Sequence, residues 1–189
     1  MESLLSQIKE SGLYEKVDKI RYVLLTSTGV SDELFRDPKM ELLGVYSNVN
    51  LYEQVTLHHL HEAALTEAED FYVLYLHSKG VRHNNTNPCI QDWVDLLSYF
   101  NIQQHDSCIQ SLSEYDTVGV NLSTAPCVHY SGNFWWSKSS HLRTLSKCTY
   151  ECYNSPEFWI TSLPGKFLNK WTSGVNHYKE RYPPSIYIL

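Results

Sequence analysis

The sequence predicts an α/β fold: a mostly parallel sheet flanked by helices. Three observations carry this. Runs of β-formers alternate with helical patterns through the first two-thirds of the 189 residues, the pattern from which parallel sheets are built. The strongest of those runs read as buried strands. The apolar share is 42%, ordinary for a globular protein, and a chain of this length can bury a substantial core.

The elements follow in order. Residues 3–17 read as an amphipathic helix, with Leu4, Leu5, Ile8 and Leu13 on the apolar side and Gly12 as a break. Residues 20–26 and 41–46 read as strands, and residues 52–68 as a helix with Leu57, Leu60, Ala64 and Leu65 on one face. Residues 71–76 (Phe-Tyr-Val-Leu-Tyr-Leu) form the strongest strand signal and run into the polar turn His77-Ser78-Lys79-Gly80. Helices are expected over 92–100 and 102–112, strands over 117–121 and 133–136, and a helix over 139–145. The predicted central sheet contains residues 21–25, 71–76 and 117–120. In parallel sheets of this kind ligands bind beyond the C-terminal strand ends, which is where His77 to Gly80 falls.

Composition narrows the function. The formal net charge of −6 argues against nucleic acid as a partner, because phosphate backbones require clustered Lys and Arg. No stretch approaches the length of a membrane span, and the N-terminal residues lack the basic start and apolar run of a signal peptide. A cytoplasmic protein is expected. The five cysteines lack paired spacing and read as reduced packing residues, although Cys148 and Cys152 could share a helix face. The sequons at Asn84 and Asn121 then read as chance matches. Fourteen Tyr and five Trp suit core packing first and ring stacking second.

Four segments could carry chemistry. His77-Ser78-Lys79-Gly80-Val81-Arg82-His83 places two fixed cations and two imidazoles after a buried strand, which reads either as a diphosphate clamp or as a solvated turn. His58-His59-Leu60-His61-Glu62 resembles a metal cluster but lacks HExxH order, and neighbours on a helix diverge. A metal-dependent hydrolase built on it is the most remote reading. His129-Tyr130-Ser131-Gly132-Asn133-Phe134-Trp135-Trp136 packs small residues, an amide and three aromatics together; it suits gripping sugar hydroxyls and stacking on a ring, and equally a glycine turn before a core strand. Glu157, beside Phe158 and Trp159, is a candidate general base, or a helix-start carboxylate favoured by the dipole. Asp92, read as a helix N-cap, and Asp116, read as a turn residue, are weaker candidates. Walker, G-x-G-x-x-G and Gly-x-Ser-x-Gly patterns are absent from the sequence.

Together the YLHSKG segment, Asp116-Thr117-Val118-Gly119-Val120, the HYSGNFWW segment, the Glu157-Phe158-Trp159 run and Asn176-His177-Tyr178 resemble, in this order, glycosyltransferase-like proteins of bacteria and large viruses. The resemblance spans residues 2–187 and implies a single glycosyltransferase-like domain over residues 1–189. It implies a GT-A-like (Rossmann-like) nucleotide-sugar fold, with the first strand missing because the chain opens on a helix. It implies transfer of a sugar from a nucleotide-sugar donor to a glycan or other hydroxyl acceptor. Where that family carries Asp-x-Asp for Mn²⁺ or Mg²⁺, this chain has His77-Ser78-Lys79, so no metal site is expected and a hard cation should bind weakly. The resemblance implies donor contacts from His77, Lys79, Gly80 and Arg82, sugar contacts from Ser131, Gly132, Asn133 and Trp135, a diphosphate contact from His177, and Glu157 as the base. The rival reading is a non-catalytic sugar- or nucleotide-binding module.

Overall fold

A computed structural model describes residues 2–26, 36–79, 86–149 and 152–188. The chain opens with α1 (Glu2–Glu10). Gly12, at φ +79°, separates it from α2 (Leu13–Lys16), as the sequence suggests. Strands β1 (Ile20–Leu25) and β2 (Met40–Tyr46) pair in parallel with each other and with no third described strand. Then come α3 (Gln54–Thr66), β3 (Tyr72–Tyr75) and α4 (Pro88–Ser98). Asn87, and not Asp92, caps α4: its side chain accepts from the Cys89 N–H at 2.9 Å. A single π turn, Tyr99–Gln103, joins α4 to α5 (His105–Ser111).

After β4 (Thr117–Gly119) the chain forms a small antiparallel pair, β5 (Leu122–Ser123) with β6 (His129–Tyr130), and enters β7 (Trp135–Lys138). Short helices α6 (Ser139–Leu142) and α7 (Ser155–Trp159), then β8 (Phe167–Asn169), complete the described elements apart from two 3-10 turns, Val49–Leu51 and Pro184–Ile186. No helix among the described residues is long and apolar enough to cross a membrane.

The predicted large parallel, GT-A-like sheet is not what forms. The central sheet has four strands in the order β3-β7-β4-β8, and β7 runs antiparallel to both β3 and β4; only β4 and β8 pair in parallel. Residues 21–25 belong to the separate β1–β2 pair and not to this sheet. The reason is the connection between β4 and β7. A parallel return needs a long crossover, usually a helix, but only the β5–β6 pair intervenes here. Gly132 (φ +98°) and Asn133 (φ +57°) then turn the chain into β7.

β7 organises the core because three consecutive residues enter three clusters. Phe134 joins Trp93, Leu97 and Phe100 beneath α4. Trp135 joins Leu57, Tyr75, Leu142 and Trp159 on the α3, α6 and α7 side. Trp136 joins Ile102, Leu112 and Val118 beside α5. Alternation along the strand sends Trp135 and Trp136 to opposite faces, so helices cover the sheet on both sides.

Candidate functional site

The end of β3, the Gly132-Asn133 turn, the start of α3 and the start of α7 converge on one cleft of about 1380 Å³. The same cleft continues along α1 and β1, so the volume belongs to the whole groove and not to this end alone. His77, Lys79, Trp93, Asn133, Glu157 and Tyr178 all border it.

Glu53 is the hub, and nothing in the sequence marks it. It precedes α3 at the N-cap position but makes no side-chain cap bond. It turns inward instead, with Oε1 3.3 Å from His77 Nδ1 and Oε2 accepting from Asn133 Nδ2 and, at 3.4 Å, from the Tyr75 hydroxyl. Read along the chain, a glutamate here is an ordinary first-turn acid.

His77 is held between that carboxylate and the Gly132 carbonyl, 3.1 Å from its Nε2. The charge of Glu53 and the hydrogen bond to the Gly132 carbonyl both favour the imidazolium. Burial opposes it more strongly, Lys79 adds repulsion, and the net pKa is lowered. Lys79 is half-buried with Nζ 3.7 Å from the Trp93 ring centroid, a close cation–π contact. Burial lowers its pKa against the opposing pull of Glu157 and Glu53. No carboxylate among the described residues lies within ion-pair distance of it.

Glu157 Oε1 accepts from the Gly132 backbone N–H at 2.6 Å, while no described residue donates to Oε2. Gly132 is required on two counts. Its φ is left-handed, and an added Cβ would approach Leu97 Cδ1 to 2.7 Å and Trp93 Nε1 to 3.1 Å. The glycine therefore lets the turn lie against α4 while it presents its N–H to Glu157.

Several expected contacts are placed differently. Trp135 is fully enclosed, stacked on Tyr75 with ring centroids 4.9 Å apart, and donates its indole N–H to Asn133 Oδ1 at 2.8 Å. It offers no ring face to a sugar. The Asn133 amide donates to Glu53 and accepts from Trp135, so it braces the turn. Ser131 is half-buried and donates its backbone N–H to the Asn121 carbonyl at 3.0 Å. Gly80 and Arg82 lie outside the described residues.

His177 is near the site but packed behind it, stacked on Trp93 at 5.0 Å between centroids. Its Nε2 lies 2.8 Å from the Ser173 hydroxyl and 3.3 Å from Asn121 Nδ2. Its Nδ1 and Trp93 Nε1 are buried and have no hydrogen-bond partner among the described residues. Burial, with Lys79 nearby, holds the His177 pKa down at about 4. Folding therefore requires the neutral ring. This contribution is complete above the unfolded value of 6.5 and is lost as the pH falls towards about 4. Between pH 7 and pH 5 the wild type should lose roughly 2 kcal/mol that a His177→Phe variant does not. Denaturant unfolding of both proteins at the two pH values checks this; equal losses would refute it.

The other candidates have structural partners. Asp92 lies inside α4 and accepts from Arg181 at 2.5 and 2.9 Å and from the Tyr182 N–H at 2.9 Å, an arrangement that ties the C-terminal segment to α4. Asp116 accepts from the Lys166 N–H at 2.8 Å. The histidines of α3 diverge as helix geometry requires: His58 bonds the Cys148 carbonyl at 2.5 Å, His59 the Tyr46 hydroxyl at 2.9 Å, and His61 the Leu145 carbonyl at 2.9 Å. Among the described residues no group of three or more His, Cys, Asp or Glu is placed to hold a metal ion. The described cysteines are all free thiols.

Fold and site together define a mixed α/β protein with a lysine, a half-engaged carboxylate and aromatic rings around one cleft. The chain belongs to the family described as Domain of unknown function (DUF8361), whose model matches residues 6–166. No curated protein matches the chain, and no solved structure does.

Proposed function

We propose that the protein transfers a sugar from a nucleotide-sugar donor to a hydroxyl acceptor at this cleft. One observation carries the reading: Lys79 and Glu157 border the same cleft and interact electrostatically, yet they form no ion pair. A cation and a carboxylate that adjoin without touching leave space for a group needing both. In the proposed reaction the acceptor hydroxyl gives its proton to Glu157 Oε2 as its oxygen bonds to the anomeric carbon. The bond from that carbon to the diphosphate breaks, the electron pair leaves with the nucleoside diphosphate, and Lys79 offsets the charge that develops there. Mn²⁺ or Mg²⁺ has no part in this proposal.

The second reading, a non-catalytic nucleotide-sugar-binding module, is favoured by the enclosure of Trp135 and the full engagement of Asn133. Calorimetric titration with uridine, guanosine and thymidine diphosphate sugars tests both. Lys79→Ala should weaken binding by about 1.5–3 kcal/mol, the scale of a charge-assisted contact. Unchanged affinity removes Lys79 from the site, and no binding by the wild type removes both readings. Hydrolysis or transfer of the bound sugar separates enzyme from module.

A further inference from the structure

Tyr153 and Tyr178 are among the most exposed large side chains, at 55% and 58%, and both border the cleft with Glu157. Neither ring is loose. Tyr153 meets Tyr52 edge-to-face at 5.4 Å and 85°, and Tyr178 meets Trp93 at 5.4 Å and 76°. Tyr178 also feels the charges of Glu157 and Tyr153, so the two phenols and the carboxylate form one neighbourhood. Keeping two braced aromatic rings in water at the mouth of a cleft exposes apolar surface that burial would otherwise remove.

We propose that Tyr153 and Tyr178 form the acceptor subsite and that the acceptor is a saccharide. This rests on the assignment of Glu157 as the base. A pyranose has an apolar C–H face and a rim of hydroxyls. The C–H faces would stack on the tyrosine rings, and a rim hydroxyl would be presented to Glu157 Oε2. Asn154 and Glu157 also border the cleft, an amide and a carboxylate suited to the hydroxyl rim of a saccharide.

The test uses the full chain labelled with 3-fluorotyrosine and no nucleotide-sugar. Cello-, malto-, chito-, xylo- and manno-hexasaccharides are titrated while the ¹⁹F resonances of Tyr153 and Tyr178 are followed, with assignments from single Tyr→Phe variants. At least one hexasaccharide should shift both resonances saturably. The Tyr153→Ala/Tyr178→Ala double variant should bind it at least about tenfold more weakly, as the loss of two stacking contacts implies. Tyr→Leu versions keep the bulk and remove the aromatic face should the alanine forms fail to fold. The subsite is overturned if none of the sugars shifts these resonances, or if the double variant binds equally well. Since no donor is present, a failure of glycosyl transfer leaves this result readable. Conversely, full transfer to an acceptor without sugar, undiminished in the double variant, would overturn the saccharide subsite and leave transfer standing.

Discussion

Glu157→Gln is expected to fold, to bind nucleotide-sugar as the wild type does, and to lose about 10²-fold or more in transfer rate, the usual scale for general-base catalysis. The geometry makes this substitution informative. Glu157 Oε1 is an acceptor for the Gly132 N–H at 2.6 Å, and a glutamine Oε1 can accept the same bond, so the turn keeps its anchor. What disappears is the basicity at Oε2, where the acceptor proton is proposed to go. The two other carboxylates weighed at sequence level cannot substitute: Asp92 is committed to Arg181 and Tyr182 N–H, and Asp116 to Lys166 N–H. Initial rates of transfer, measured alongside donor affinity, provide the check. Equal rates in the variant would exclude Glu157 as the base, and a loss of donor affinity alone would make it a binding residue.

Trp135→Ala is expected to destabilise the fold by about 3–5 kcal/mol, the range for emptying a buried Trp site. The side chain has no exposed surface, and it is shared between Tyr75 and Trp159, at 4.9 and 6.4 Å between ring centroids. Its loss also strips Asn133 Oδ1 of its donor, and Asn133 holds Glu53, which holds His77. Trp135→Phe keeps a ring against Tyr75 and removes the indole N–H with part of the ring volume, so it should cost less than the alanine change, about 1–3 kcal/mol. Chemical denaturation of the three proteins measures both steps. If Trp135→Ala costs under about 1 kcal/mol, the ring does not bear on the site as described. The ranking would also show that the aromatic run serves the site from behind, through packing.

The sequence by itself determined where the early elements are. The helix on residues 52–68 and the strands at 20–26 and 41–46 all form, within two residues at their ends, because apolar spacing and β-branched runs are local signals. It also singled out Lys79 and Glu157, which the folded chain brings to one cleft, and Gly132, whose N–H holds Glu157. Only the tertiary structure decided the sheet. Alternating helices and strands imply parallel pairing when helices make the crossovers, but β7 returns through a short β pair and inserts antiparallel between β3 and β4. Only the tertiary structure turned Trp135 and Asn133 from presumed ligand contacts into supports, since spacing cannot tell an enclosed ring from a presented one. Glu53 was invisible for a related reason. Its contacts reach His77 and Asn133, 24 and 80 residues away along the chain (77 − 53 and 133 − 53), and partners that distant are set by packing and not by local sequence.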